Sequence, residues 1–510
     1  MINKQLINKT LFFIVLGLLF SNCRNDIDQE LYAKYDDQIT PRTLKTEFYL
    51  IHFKDKGDQQ ISDAENYFSP EAKLKRSLHN IEYNSLDLPV SKEYLRRIKE
   101  TVDVDIELTT KWFNAAVIAT DKVFKVEDLA GLDFIERIET FGENKDLSVY
   151  ENNVNSINRL NTLMAPLSNN APVIENFENS NYGHNEDFLT FHNNSLLSKG
   201  FFGQGISIAI LADGFNFADH SGASGALDAV QKSALAHIAH ENRFIDTYHI
   251  PKKINEVDAV ANDGIKDLEY AAAIVEDQYI GAAPRANYAL YVPESTLHEE
   301  QIDELLWVKT LERADSVGIH IISSKHTYGG NFDDPNANYQ PEELDGKVAF
   351  SSRAVDIAFE KDMLVVNLLT GSTWGEPTLI APNDAENIIS TYGGSFSSWT
   401  NNYRMNTSVT TTADGRTKPD AFGLDLYVKD IRGDANYYSR TAGILLASNI
   451  ACLWSSTPEK SAKEIRQLLI DSQLENSTLS EEANFQPLPN INPSDNSLYF
   501  NINRAYELSR

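Results

Sequence analysis

From Gly203 onward, short continuous apolar runs alternate with stretches of helical period, and this alternation limits the fold more than any other feature of the chain. The runs are ISIAILA at 206–212, ANYALYV at 286–292, IHIISS at 319–324 and MLVVNLL at 363–369. Between them lie DLEYAAAIVED at 267–277 and IDELLWVKTLERADSVG at 302–318. A strand with one wet face alternates apolar and polar residues, whereas a run that is apolar throughout must be covered on both faces. Parallel neighbours also need a crossover connection, which the intervening helices supply. The expected fold class is α/β, a parallel sheet flanked by helices.

A second, smaller unit precedes it. EFYLIHF at 47–53 alternates as a strand, KEYLRRIKETV at 92–102 has a helical period, and KWFNAAVIAT at 111–120 is strand-like. EDLAGLDFIERIETF at 127–141 reads as helix and then strand. A β-α-β-α-β order in so short a segment suggests a small α/β sandwich of ferredoxin-like type over residues 46–141. Residues 142–195 are rich in Asn and Ser and have little periodicity, so they read as a connector.

The first residues carry Lys4 and Lys9, then the apolar run Leu11–Phe20, then Ser21-Asn22-Cys23. The run is far shorter than the roughly 20 apolar residues a membrane-spanning helix needs. With a cysteine at cleavage distance it reads as an export signal over 1–22, and it resembles a bacterial lipoprotein signal with Cys23 as the lipidated residue. An ordinary secretory signal with an incidental cysteine is the alternative. Residues 23–45 are polar and aperiodic, as a tether would be. The implied location is exported and lipid-anchored to the bacterial outer membrane, on its surface or periplasmic face.

Cys452 is the only other cysteine, so no intrachain disulfide remains once Cys23 is lipidated, and stability must come from the core. A net charge of −29 without a Lys/Arg block argues against a nucleic-acid partner. No CxxC, HExxH or zinc-type Cys/His spacing occurs, so neither a metal site nor a cofactor is expected.

Several stretches together resemble the subtilases, the subtilisin-like serine peptidases, in a bacterial lipoprotein branch. GQGISIAILADGFN at 203–216 resembles the strand and turn that hold the catalytic aspartate. YIGAAPRANYALY at 279–291 resembles the Gly-x-Ala-Pro-x-Ala stretch after the histidine helix, and TADGRTKPDAFG at 412–423 the Gly-Arg-x-Lys-Pro-Asp stretch before the nucleophile. The segments 332–367 and 498–509 resemble that branch's central and closing segments, and 67–98 its prodomain. The resemblance implies a prodomain-like unit at 46–141 and a subtilisin-like domain at 196–510.

It also implies four positions for the chemistry: an acid, a histidine base, a serine nucleophile and an oxyanion donor. By register, the aspartate position falls on Ala212, with Asp213 one residue on and turned to the other face of the strand. The histidine position at a helix start falls on Asp263. The oxyanion asparagine position falls on Gly371, and the serine position on Arg440. Ser439 and Thr441 flank Arg440, but a neighbour on a helix points about 100° away. The substrate-pairing Ser-x-Gly is replaced by Lys325-His326-Thr327, and His326 has no acid or serine placed for it by motif.

The implied function is a catalytically inactive subtilase-like lipoprotein that serves as a binding or scaffold component of an envelope assembly. Its partners would be the membrane, through the lipid, and a protein of the envelope. The alternatives are an active endopeptidase with a rearranged site and a peptide-binding module that does not cut. In the inactive reading Arg440, at a helix start where a cation is disfavoured, is expected to pair with Asp263.

Overall fold

The computed structural model describes residues 46–120, 125–144, 194–217, 228–253, 257, 263–294, 299–369, 378–393, 395–397, 402–404, 409–423, 430–432, 441–475 and 498–510. In the N-terminal unit β1 (Thr46–Phe53) is followed by α1 (Pro70–His79), α2 (Lys92–Thr101), β2 (Asp105–Thr110), β3 (Ala115–Thr120), α3 (Val126–Ala130) and β4 (Ile135–Asn144). The sheet order is β2-β3-β1-β4, with every pairing antiparallel. This is the ferredoxin-like arrangement expected from the sequence. Two details differ: the strand at 111–120 begins only at Ala115, after a turn at 111–114, and β2 is an additional strand.

That sheet is buried on both faces, and the two-residue period of its strands sorts the side chains. Phe48 and Leu50 of β1 and Ala115, Val117 and Ala119 of β3 face Ile302, Leu305 and Leu306 of the large domain. Tyr49, Ile51 and Phe53, with Ala116 and Ile118, face Val90, Ile98 and Leu129 of the unit's own helices. The small unit is therefore seated on the large one by a whole apolar sheet face.

In the large domain β5 (Ser207–Leu211), α4 (Ala229–His240), β6 (Phe244–His249), α5 (Asp263–Ala272), β7 (Asn287–Val292), α6 (Gln301–Val317) and β8 (Ile321–Ser324) come first. They are followed by α7 (Phe350–Glu360), β9 (Leu364–Leu368), β10 (Ile389–Gly393), β11 (Ala421–Gly423), α8 (Ala442–Ser456) and α9 (Ala462–Asp471). The strands form one parallel sheet of order β11-β10-β9-β8-β5-β7-β6. Apolar residues of α4, α5, α8 and α9 cover one face and those of α6 and α7 the other.

Candidate functional site

Among the described residues, Ala212, Asp213, Asp263, Lys325 and His326 gather at the carboxyl ends of the central strands, where open parallel sheets place their sites. Helix α5 begins at Asp263, and its second residue, Gly264, abuts Phe215 and the carbonyl of Gly214 beyond β5. A Cβ on Gly264 would lie 2.4 Å from the Phe215 ring, so the helix start can approach the sheet only as glycine. Helix α8 follows Thr441, and Gly443 lies against the Ser324 carbonyl and the Leu368 side chain. Both helix starts therefore meet the ends of β5, β8 and β9.

Alternation along the strands divides the side chains at this edge. On β5, Ile208 and Ile210 belong to the core under α5 and α8, Ala209 and Leu211 to the core under α6 and α7. Ala212 continues the first set and is fully buried there. Ala212 is thus a methyl group packed in the core, on the face of β5 opposite Asp213. Asp213 turns the other way, as the register requires.

The end of β8 divides in the same manner. Lys325 reaches the α5 side, where its Nζ lies 2.7 Å from Asp263 Oδ2 and 3.1 Å from Asp267 Oδ2. Burial alone would lower the Lys325 pKa; Asp267 and Asp263 reverse that and hold it above the ordinary lysine value. Burial pushes Asp267 up to about 6 against the pull of Lys325. A carboxylate at the start of α5 is thus held by a lysine from the end of β8. Arg440 and Gly371 lie outside the described residues, as does Ser439; the observed partner of Asp263 is Lys325. Thr441 is buried, and its hydroxyl has no hydrogen-bond partner among the described residues.

His326 takes the opposite face. Its Nε2 lies 3.4 Å from Asp213 Oδ1 and 3.8 Å from Glu294 Oε1, and its Nδ1 is 3.4 Å from Ser324 Oγ. Tyr328 donates its hydroxyl to Glu294. Burial would depress the imidazole, but Glu294 and Asp213 outweigh it and bring the pKa up to about 9. Burial, with Glu294 next, pushes Glu299 up to about 8. The motif gave His326 no acid partner; folding supplies two. Asp213 is one residue from a recognised position, but Glu294 is far along the chain and had no signal beyond its place just after an apolar strand.

An Asp213–His326–Ser324 line has the residue types of a serine-type relay, yet it does not present a nucleophile. Ser324 is buried, and its Oγ accepts from the Trp307 indole at 3.2 Å and the His326 backbone N–H at 3.2 Å. An attacking hydroxyl must reach a bound carbonyl.

Comparison with known proteins agrees with this geometry. Residues 48–161 match the family described as peptidase S8 propeptide domain, Bacteroidota. Among curated proteins none matches the chain by sequence. Among solved structures, the crystal structure of the epidermin leader peptide processing serine protease from Staphylococcus aureus is similar over 91% of this chain and 99% of that one, at a TM-score of 0.50 and 12% identity. A serine-to-alanine variant of that protease matches equally, at a TM-score of 0.50 and 12% identity, over 91% of this chain and 100% of that one. Residues 48–161 therefore match a Bacteroidota-type peptidase S8 propeptide domain, and the chain has a subtilase-like fold.

Proposed function

We propose that this protein is a subtilase-like lipoprotein that no longer cuts peptides and acts as a binding or scaffold component of the cell envelope, tethered to the outer membrane through Cys23. The observation that carries this reading is the pair of changes at the first two catalytic positions. Ala212 is sealed in the core where the orienting acid would stand, and Asp263 is tied to Lys325 where the base would stand. Loss of a single triad member lowers kcat by about 10⁴ to 10⁶, so two such losses leave no triad to rescue. Lys325 and Thr327 also replace the small residues beside which a substrate chain would lie, and so narrow the groove.

The competing reading is a rearranged peptidase that uses Asp213, His326 and Ser324, favoured by the 3.4 Å contacts on either side of the imidazole. One experiment separates the two. The purified full chain is treated with a fluorophosphonate probe and with a mixture of fluorogenic peptides, alongside an Arg440→Ser variant. The inactive reading expects no labelling and no cleavage in either protein, because Ala212 and Asp263 remain in the variant. Labelling at Ser324, or cleavage lost in His326→Gln, would establish the rearranged site; cleavage gained in Arg440→Ser would show that the catalytic positions are elsewhere. Copurification of the lipidated chain with an envelope protein from mild detergent distinguishes the scaffold role from capture of free peptides.

A further inference from the structure

We propose that Asp213, Glu294 and His326 form a binding site for a divalent transition-metal ion of borderline softness, of which Zn²⁺ is the type. No short motif announces it, because its ligands come from the ends of three separate strands, β5, β7 and β8. In the fold one donor atom from each of the three lies within 4.8 Å of the others.

The independent observation is the state of the imidazole. The His326 side chain is only 4% exposed, and its Nε2 is buried without a hydrogen bond, although it points at two carboxylates. A charge-assisted hydrogen bond would draw nitrogen and oxygen to about 2.7–2.9 Å. The separations are instead 3.4 Å to Asp213 and 3.8 Å to Glu294. Two donors that each sit 2.0–2.2 Å from a tetrahedral ion are themselves about 3.3–3.6 Å apart. The Asp213 separation falls in that range and the Glu294 separation just beyond it, and both are longer than a charge-assisted hydrogen bond.

The surroundings orient each donor. Ser324 Oγ stands 3.4 Å from Nδ1, the far side of the ring, and Trp307 fixes that hydroxyl in turn. Tyr328 occupies Glu294 Oε2, which leaves Oε1 as the oxygen nearest the imidazole. Such outer contacts set the orientation and basicity of metal ligands. The Asp213 side chain is 46% exposed and provides the way in from solvent. Glu299, whose burial and negative neighbours disfavour its charged form, is close enough to gain from a cation at the centre.

The donor chemistry selects the ion. Ca²⁺ and Mg²⁺ are held by oxygen ligands, whereas an imidazole with two carboxylates suits Zn²⁺, Mn²⁺ or Co²⁺. The site lies on the α6/α7 side of the sheet, across from Ala212 and Asp263, so it does not depend on whether the chain cuts peptides.

The test uses the full chain, stripped with a chelator and titrated with Zn²⁺ alone against a chromogenic competitor, with Ca²⁺ in a parallel titration. One equivalent of Zn²⁺ is expected to bind, and thermal unfolding to shift upward with Zn²⁺ concentration. Co²⁺ should show the visible absorption of a tetrahedral site. His326→Gln and Asp213→Asn should each weaken binding by at least about tenfold. Asp213 is half exposed, so its variant keeps the test valid if the buried histidine variant fails to fold. Absence of saturable Zn²⁺ binding, equal affinity in wild type and Asp213→Asn, or a preference for Ca²⁺ would each overturn the proposal.

Discussion

Lys325 joins two carboxylates that lie one turn apart on α5, Asp263 and Asp267. Removing one member of such a group strands the charge of the others, so Lys325→Met is expected to cost about 2–3 kcal/mol in urea denaturation at neutral pH. The sign of its pH dependence follows from Asp267. Burial raises that carboxyl to about 6, so its contribution to stability is fully present below its ordinary value and is lost as pH rises through 6. Without the lysine the loss deepens, so the gap between wild type and variant should widen from pH 5 to pH 8; a constant gap would assign the effect to packing instead. Much of this site was legible from register: Ala212 is a core methyl, Asp213 faces away from it, and Asp263 opens its helix. The lysine was not legible as the partner of Asp263. The dipole argument pointed to Arg440 as the partner, because a cation at a helix start needs an anion beside it, whereas the alternation of β8 sends Lys325 to the α5 side and His326 away from it.

The element that joins the two units is α1, and its sequence hides its role. PEAKLKRSLH offers no apolar stripe, because its buried face consists of Ala72, Lys75 and Arg76, while Leu74 and Leu78 are exposed. Arg76 Nη2 lies 2.9 Å from Asp87 Oδ1 and 2.8 Å from Asp315 Oδ1 of α6. Lys361 reaches Asp87 at 2.9 Å from the end of α7, and Lys75 donates to the carbonyl of Ile319 at 2.7 Å. Hydrophobic period alone cannot detect a face whose partners are charges on another unit. β2 was missed for a related reason, since its DIELTT is half polar and carries Glu107 and Thr110 buried toward neighbours. Arg76→Ala would remove the cation shared by Asp87 and Asp315 and leave each with a single lysine, Lys361 and Lys111; a loss of about 3 kcal/mol is expected, and urea unfolding should split into separate transitions for the two units. Two groups define the pH range of docking. Burial favours a neutral Asp315, but Lys111 and Arg76 overcome it and hold the carboxyl below its usual range, so its contribution is lost as pH falls through that depressed value. The hydrogen bond to Asp362 raises His79, so its contribution is complete below its ordinary value and is lost as pH rises through the raised one. Docking should be firmest from roughly pH 4 to 6.5, and His79→Asn should remove the alkaline decline in protection measured by hydrogen exchange.

At the scale of the whole molecule, the proposed inactive reading must account for a propeptide domain retained on a chain that would not cut. In an active subtilase the propeptide is severed, and in this order of domains severance would free the large domain from a lipid at Cys23. Here an apolar sheet face and a buried set of charges join the units, and that interface suits a lasting attachment better than a transient one. Residues 1–45 lie outside the described residues, and among those described no helix is long and apolar enough to cross a membrane. In the proposed reading, attachment to the envelope rests on the lipid at Cys23. A diacylglycerol thioether with an added acyl chain anchors firmly where a single chain would not. Cys23→Ser should therefore move the protein from the detergent-rich to the aqueous phase on phase separation, and unchanged partition would remove the anchor from this account. The mature wild-type protein should also have the intact mass of one lipidated chain from Cys23 to Arg510. A host in which the large domain accumulates alone, starting between about residues 145 and 200 with other proteases excluded, would mean that the chain severs its own propeptide. That result would contradict the inactive reading even if no exogenous peptide were ever cleaved, because self-cleavage needs the same acid and base whose positions that reading gives to Ala212 and to the Lys325–Asp263 pair.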